Sequence, residues 1–251
     1  MKAFEQLPPP IAAGLRRRRV LRQYGPQGDV HSEFAVVPLN STKCTRQASV
    51  ELYWLPLGAG DTIPVVRWDG RIFEALVARH AHRKPLDLYH SALVVRLDDD
   101  RFIIEMTPAW ESSVANRGVV GEGAVGLRYL RGVRLFRYEV RRWPGGVLEN
   151  SATAVESPRP ISTDPFRTRL LLNLVPSFPT ATWGRDELGA GEMWNSNSLV
   201  SWLLARSQHE PDTIVPPAHG RAPGWNAGLA VAAREARETL VLKGRRQVAA
   251  E

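Results

Sequence analysis

The chain has 251 residues, with 33 Lys plus Arg against 26 Asp plus Glu, 43% hydrophobic residues and a single cysteine. These proportions fit a globular protein with a sizeable core and exclude wholesale disorder, an internal disulfide and a cysteine-rich zinc site. No stretch approaches the ~18 consecutive apolar residues of a membrane helix and no apolar leader opens the chain, so a soluble, cytoplasmic protein is expected.

The net charge of +7 is not spread evenly. Residues 1–48 hold eight basic and three acidic side chains, residues 234–251 hold five and three, and the 185 residues between hold twenty of each sign. The excess therefore reads as two basic arms, able to make weak contacts with nucleic acid or an anionic membrane. They flank one domain at 49–233.

In chain order, residues 1–48 carry a triple proline (Pro8 to Pro10) and an arginine block (Arg16 to Arg19) with no sustained period. From Ser49 the pattern alternates, with Val50, Leu52 and Trp54 on one face of a strand, and Gly58 to Asp61 follow as a turn. Asp69 caps an expected helix through about His82. Leu88 to Met106 read as a hairpin turning at Asp99-Asp100. Leu127 to Trp143 read as a basic strand ended by Pro144-Gly145-Gly146. Asp164-Pro165 open a short helix that Pro176 and Pro179 stop, a second helix spans about Asn195 to Arg206, and a third spans Leu229 to Leu242 beyond a Gly/Pro-rich loop at 216–228. Separated hairpins and helices predict an α+β fold, an antiparallel sheet packed against helices.

Two segments carry candidate chemistry. In Trp194-Asn-Ser-Asn-Ser-Leu-Val-Ser-Trp-Leu-Leu, positions i+3, i+4 and i+7 from Ser196 are Leu199, Val200 and Leu203, which puts Ser196 in the first turn of the buried face. The helix start favours a developing anion there, although Asn195, Ser196 and Ser198 are also ordinary capping residues. In Tyr89-His-Ser-Ala-Leu-Val-Val, His90 begins an apolar strand, where it suits a general base or a plain core position.

Together these segments resemble a known family. His-Ser-Ala-Leu-Val-Val with Asp-Arg-Phe-Ile-Ile-Glu is similar to the His-bearing hairpin of NlpC-type papain-fold enzymes, and Asn-Ser-Asn-Ser-Leu-Val is similar to their nucleophile helix, usually Asp/Asn-Cys-x-x-Leu/Phe-Val. Here the helix follows the His strand by about a hundred residues, as in the circularly permuted branch and the related lecithin:retinol acyltransferase group. The resemblance covers about 35 of the 251 residues. It implies a permuted papain-like fold with Ser196 as nucleophile, His90 as base, Glu105 orienting the imidazole, and Trp194, Asn195 and Asn197 lining a site for a small-molecule, peptide or acyl substrate. The chain would then be an amide or ester hydrolase, or an acyltransferase.

Two departures qualify this. The family's nucleophile is Cys, and a serine hydroxyl stays protonated where a thiolate would be stabilised. The site is therefore retuned for serine chemistry or inactive, which makes a binding module for a peptide, acyl or cell-wall fragment the alternative. The expected turn also pairs Glu105 with Val94, four residues and roughly 13 Å from His90.

Other candidates are weaker. Cys44 has basic neighbours in Lys43 and Arg46 but no apolar i+3/i+4 pair to bury a helix. His80 and His82 point to different sides of the expected helix, Asp98 to Asp100 lack calcium-loop spacing, and Gly118 to Gly123 lack the phosphate-cradling pattern. No metal or cofactor is expected. The arginines of 127–143, interleaved with Tyr129, Phe136, Tyr138 and Trp143, form a possible stacking surface for single-stranded nucleic acid or a solvated strand face.

Overall fold

The computed structural model describes residues 47–57, 86–109 and 116–248. The helix expected at 69–82, the turn at 58–61, Cys44, His80, His82 and the N-terminal arm up to residue 46 lie outside the described residues.

Strands β1 (Ala48–Pro56), β2 (Asp87–Leu97), β3 (Asp100–Pro108), β4 (Val119–Ala124), β5 (Arg137–Pro144) and β6 (Val155–Ser162) form an antiparallel sheet in the order β4-β5-β3-β2-β1-β6. A two-residue strand, β7 (Gly220–Arg221), adds to β2 in parallel. Three helices complete the described fold: α1 (Pro165–Leu174), α2 (Ser196–Arg206) and α3 (Trp225–Val248). No helix among the described residues is long and apolar enough to cross a membrane.

Local chemistry explains most boundaries. The β2–β3 hairpin turns one residue earlier than expected, at Asp98-Asp99, because Asp98 takes the left-handed conformation (φ 56°) and Leu97 pairs with Asp100. Asp is one of the few non-glycine residues that tolerates this conformation. Asp164 caps α1 by accepting from the Phe166 and Arg167 amides at 2.8 and 3.1 Å, with Pro165 at the first helical position, where its missing N–H costs nothing.

The two faces of the sheet differ. Val50, Leu52 and Trp54 of β1, Leu93 and Val95 of β2, Ile104 and Met106 of β3 and Val140 of β5 form the main core with the helices. The intervening residues Leu55, Ala92, Val94 and Ile103 form a smaller cluster on the far face with Leu148, Tyr53 and Trp143. This is the period-2 alternation of pleated strands, here with both faces covered.

Helix α2 is the centre of the main core. Residues 196–204 are all buried, so the helix is enclosed rather than laid on a surface. Leu199 and Leu203 meet the apolar core, while the small residues Ser198 and Ser201 face the start of α3, donating to the Gly224 and Trp225 carbonyls at 2.8 and 2.7 Å. Gly228 completes this close approach: a Cβ there would collide with the Ser201 hydroxyl and the Ser198 carbonyl.

Three expectations need correction. The basic segment 127–143 is not one strand: two 3-10 turns occupy Arg128–Gly132 and Arg134–Phe136, and β5 begins only at Arg137. The third helix starts at Trp225 rather than Leu229, because the Gly/Pro-rich loop ends at Gly224. It then runs through residue 233 to Val248, so the described part of the C-terminal segment is helical.

Candidate functional site

The two segments singled out in the sequence do meet. Asn195 is the N-cap of α2, its side chain accepting from the Asn197 and Ser198 amides at 2.9 and 3.4 Å while the Ser198 hydroxyl accepts from the Asn195 amide at 3.1 Å. This reciprocal capping box satisfies the free N–H groups that open a helix. The Asn197 side chain then reaches the start of β2, donating to the Tyr89 carbonyl at 2.9 Å and accepting from the Ser91 hydroxyl at 2.9 Å. It also donates to the Pro223 carbonyl at 2.9 Å, to which the Asn195 side-chain Nδ2 donates as well at 2.8 Å.

The residue between Tyr89 and Ser91 is His90, and the pleat directs it away. Tyr89, Leu93 and Val95 belong to the main core beside α2, whereas His90 pairs with Leu55, a member of the far-face cluster. Successive side chains of a strand alternate, so Ser91 faces the helix start and His90 faces the other side. Among the described residues no hydrogen bond joins Ser196 to His90, and the expected Ser196–His90 dyad is not formed. Burial pushes the His90 imidazole down to about 4, although the residue as a whole is only partly buried. It is therefore neutral at pH 7.

Glu105 is likewise placed elsewhere than expected. It shares the far face with His90, but its carboxylate accepts from Arg141 at 3.0 Å. Arg141 also donates to Glu139 at 3.0 Å, and Glu139 takes Arg117 through two bonds of 3.1 and 2.6 Å. Burial raises the Glu105 carboxyl above its ordinary range against the pull of Arg141. Burial would raise Glu139 too, but the hydrogen bonds from Arg117 and Arg141 hold it below the usual range. Glu105 thus belongs to a buried ion network that joins β3 to β5, not to an imidazole.

The expected substrate contacts are also internal. Trp194 is 2% exposed, stacks on Phe178 with ring centroids 4.9 Å apart and donates from its indole to the Pro179 carbonyl at 2.9 Å. Asn195 and Asn197 have the partners given above. Ser196 itself is 2% exposed, so the helix start is a closed structural joint.

The opposite end of α2 differs. A cleft of about 280 Å³ lies between β6 (Arg159 to Ile161), Arg167 of α1 and residues 209–214. His209, 4% exposed, contributes to its wall. The Ser207 hydroxyl donates to the Leu203 carbonyl at 2.6 Å and sits 2.7 Å from His209 Nδ1. With its proton directed at the carbonyl, that oxygen accepts from Nδ1–H, which leaves Nε2 a bare acceptor. Nε2 is buried without a hydrogen-bond partner. Burial, then the nearby Arg167, lower the His209 pKa, with Asp164 opposing, so the neutral form prevails at pH 7. Arg159 is positioned by the Val215 and Thr213 carbonyls at 3.2 and 3.4 Å, and Arg167 lies 3.7 Å from Asp164.

Sequence reasoning missed this cleft. Ser207-Gln-His209 just past a helix end is a weak local signal, and the arginines that join it lie 42 and 50 residues upstream. Among the described residues no group of three His, Cys, Asp or Glu side chains is arranged to hold a metal ion.

The fold and site define an α+β protein with a mainly antiparallel sheet and a buried central helix. No family model, curated protein or solved structure matches the chain.

Proposed function

We propose that this chain is a binding module, papain-like and permuted in outline, rather than a hydrolase or acyltransferase. The observation that carries this reading is the joint between β2 and α2: the position facing the helix start holds Ser91, hydrogen-bonded to Asn197, while the imidazole next to it lies on the opposite face. A serine hydroxyl has no means of losing its proton without a base within reach.

The ligand cleft is the one at the other end of α2. Two guanidinium groups, Arg159 and Arg167, suit a carboxylate and outnumber the one acid on the lining, Glu210, while the Nε2 of neutral His209, buried in the cleft wall, suits an N–H donor once a ligand uncovers it. Those features together describe the end of a peptide or an N-acylated amino acid, a ligand within the peptide, acyl or cell-wall class. Isothermal titration of the full chain with N-acetylated amino acids and short peptides tests this. Saturable binding that weakens about tenfold in Arg167→Gln is expected, and heat signals identical to buffer across the series would overturn it.

A further inference from the structure

The connection between β4 and β5 contains no buried residue from Leu127 to Phe136. Leu127, Val133 and Leu135 are 44%, 50% and 55% exposed, and Tyr129 is 89% exposed. Single exposed apolar residues are ordinary, but four on one connection of ten residues make it a candidate interaction surface.

Its charge is one-sided. No acidic residue occurs between Glu122 and Glu139, a stretch that contains Arg128, Arg131, Arg134 and Arg137. Arg137 is paired with Glu122 at 3.2 Å, and Arg134 donates to the Ala109 carbonyl at 3.2 Å. Arg128 and Arg131 stand on the exposed turn. Arg185, which donates to the Gly126 carbonyl at 2.8 Å, adds a cation at the base. The opposing charge is Glu187, held below its usual range first by hydrogen bonds from Thr182 and then by Arg128 and Arg185.

Part of the backbone is already satisfied internally. The amides of Leu127, Leu130, Val133 and Phe136 donate within the segment or to Val125 at 2.8 to 3.1 Å, so these four donors keep their partners on leaving water.

We propose that residues 127–136 form an interfacial loop that seats this protein on an anionic lipid surface. Leu127, Val133 and Leu135 enter the boundary between headgroups and acyl chains, Tyr129 lies at headgroup level, and Arg128 and Arg131 pair with anionic headgroups. Single-stranded nucleic acid fits the segment less well, because stacking requires aromatic faces. Tyr129 is the only fully exposed ring on the turns, Phe136 being half-buried.

Co-sedimentation of the full chain with vesicles tests the proposal, using phosphatidylcholine alone, phosphatidylcholine with phosphatidylglycerol, and a single-stranded oligonucleotide by filter binding. The basic arms will also be drawn to negative charge, so the decisive variant leaves charge unchanged: Tyr129→Ser with Val133→Ser and Leu135→Ser. The expected result is binding to the anionic vesicles that weakens by about tenfold or more in this triple variant. Arg128→Gln with Arg131→Gln should reduce both the binding and its salt dependence. All of these positions are exposed, and an unchanged thermal melt verifies that each variant folds. Three results would overturn the proposal: no vesicle binding, equal binding by the triple variant, or binding to the oligonucleotide without binding to vesicles.

Discussion

The two ends of α2 invite comparison, because both combine polar side chains with buried backbone yet resolve them differently. At the N-terminal end four polar side chains have partners on β2, α2 itself or the loop before α3: Asn195, Asn197, Ser198 and Ser91 satisfy one another and the Tyr89 and Pro223 carbonyls. At the C-terminal end His209 Nε2 has none, and Arg159 and Arg167 line the same cleft, with Glu210. A buried polar network with all partners present fixes a structure, whereas a buried acceptor left unmatched in a cleft wall keeps a hydrogen bond for a ligand that uncovers it. A helix start that looks like a nucleophile site can thus be a joint, and the ligand chemistry can lie at the helix's other end.

The largest effect expected from breaking this contrast is at the joint. Asn197→Ala strands the Ser91 hydroxyl and the Tyr89 carbonyl in the interior, and should lower stability by about 3 kcal/mol in chemical denaturation. Ser196→Ala, which removes none of these hydrogen bonds, should change stability by about 1 kcal/mol or less. Comparable losses would show that Ser196 takes part in the network.

Next in size is the pH dependence of His90. Its folded pKa of about 4 lies below the unfolded value near 6.5, so the unfolded chain binds more protons between those limits. Stability should therefore be fully present above pH 6.5, decline as pH falls toward 4 by about 1–3 kcal/mol, and level off below. In His90→Gln this part of the decline should vanish. An unchanged profile would mean that the ring is solvated in the folded state.

A smaller effect is expected in the cleft. Arg159→Gln should weaken carboxylate binding by about tenfold while shifting stability by less than about 0.5 kcal/mol. Smallest of all, Arg206→Gln removes a partly exposed pair with Glu235 at 3.5 Å and should alter stability by about 0.5 kcal/mol or less.

The sequence was most informative where the signal is local. The Asp164-Pro165 helix start, the Asn195 cap and the β2–β3 hairpin follow from capping and alternation within a few residues, and all three are present. The face occupied by His90 was not readable, because Ala92 to Val95 are apolar on both faces of β2; when a strand is covered on both sides, hydrophobicity no longer says which side meets a given helix. Interspersed arginines and apolar residues made 127–136 look like a strand, although none of its residues is buried and the segment forms two 3-10 turns. The continuation of α3 was hidden for a related reason. Past Glu235 its described side chains are exposed, so no apolar period marks it.

The most direct test of the central claim is intact-mass spectrometry of the full chain after prolonged exposure to a fluorophosphonate, with Ser196→Ala alongside. With His90 on the opposite face of the sheet, both proteins should retain their unmodified mass. A single phosphonyl adduct on the wild type that is absent from Ser196→Ala would contradict the account and restore the serine as a nucleophile.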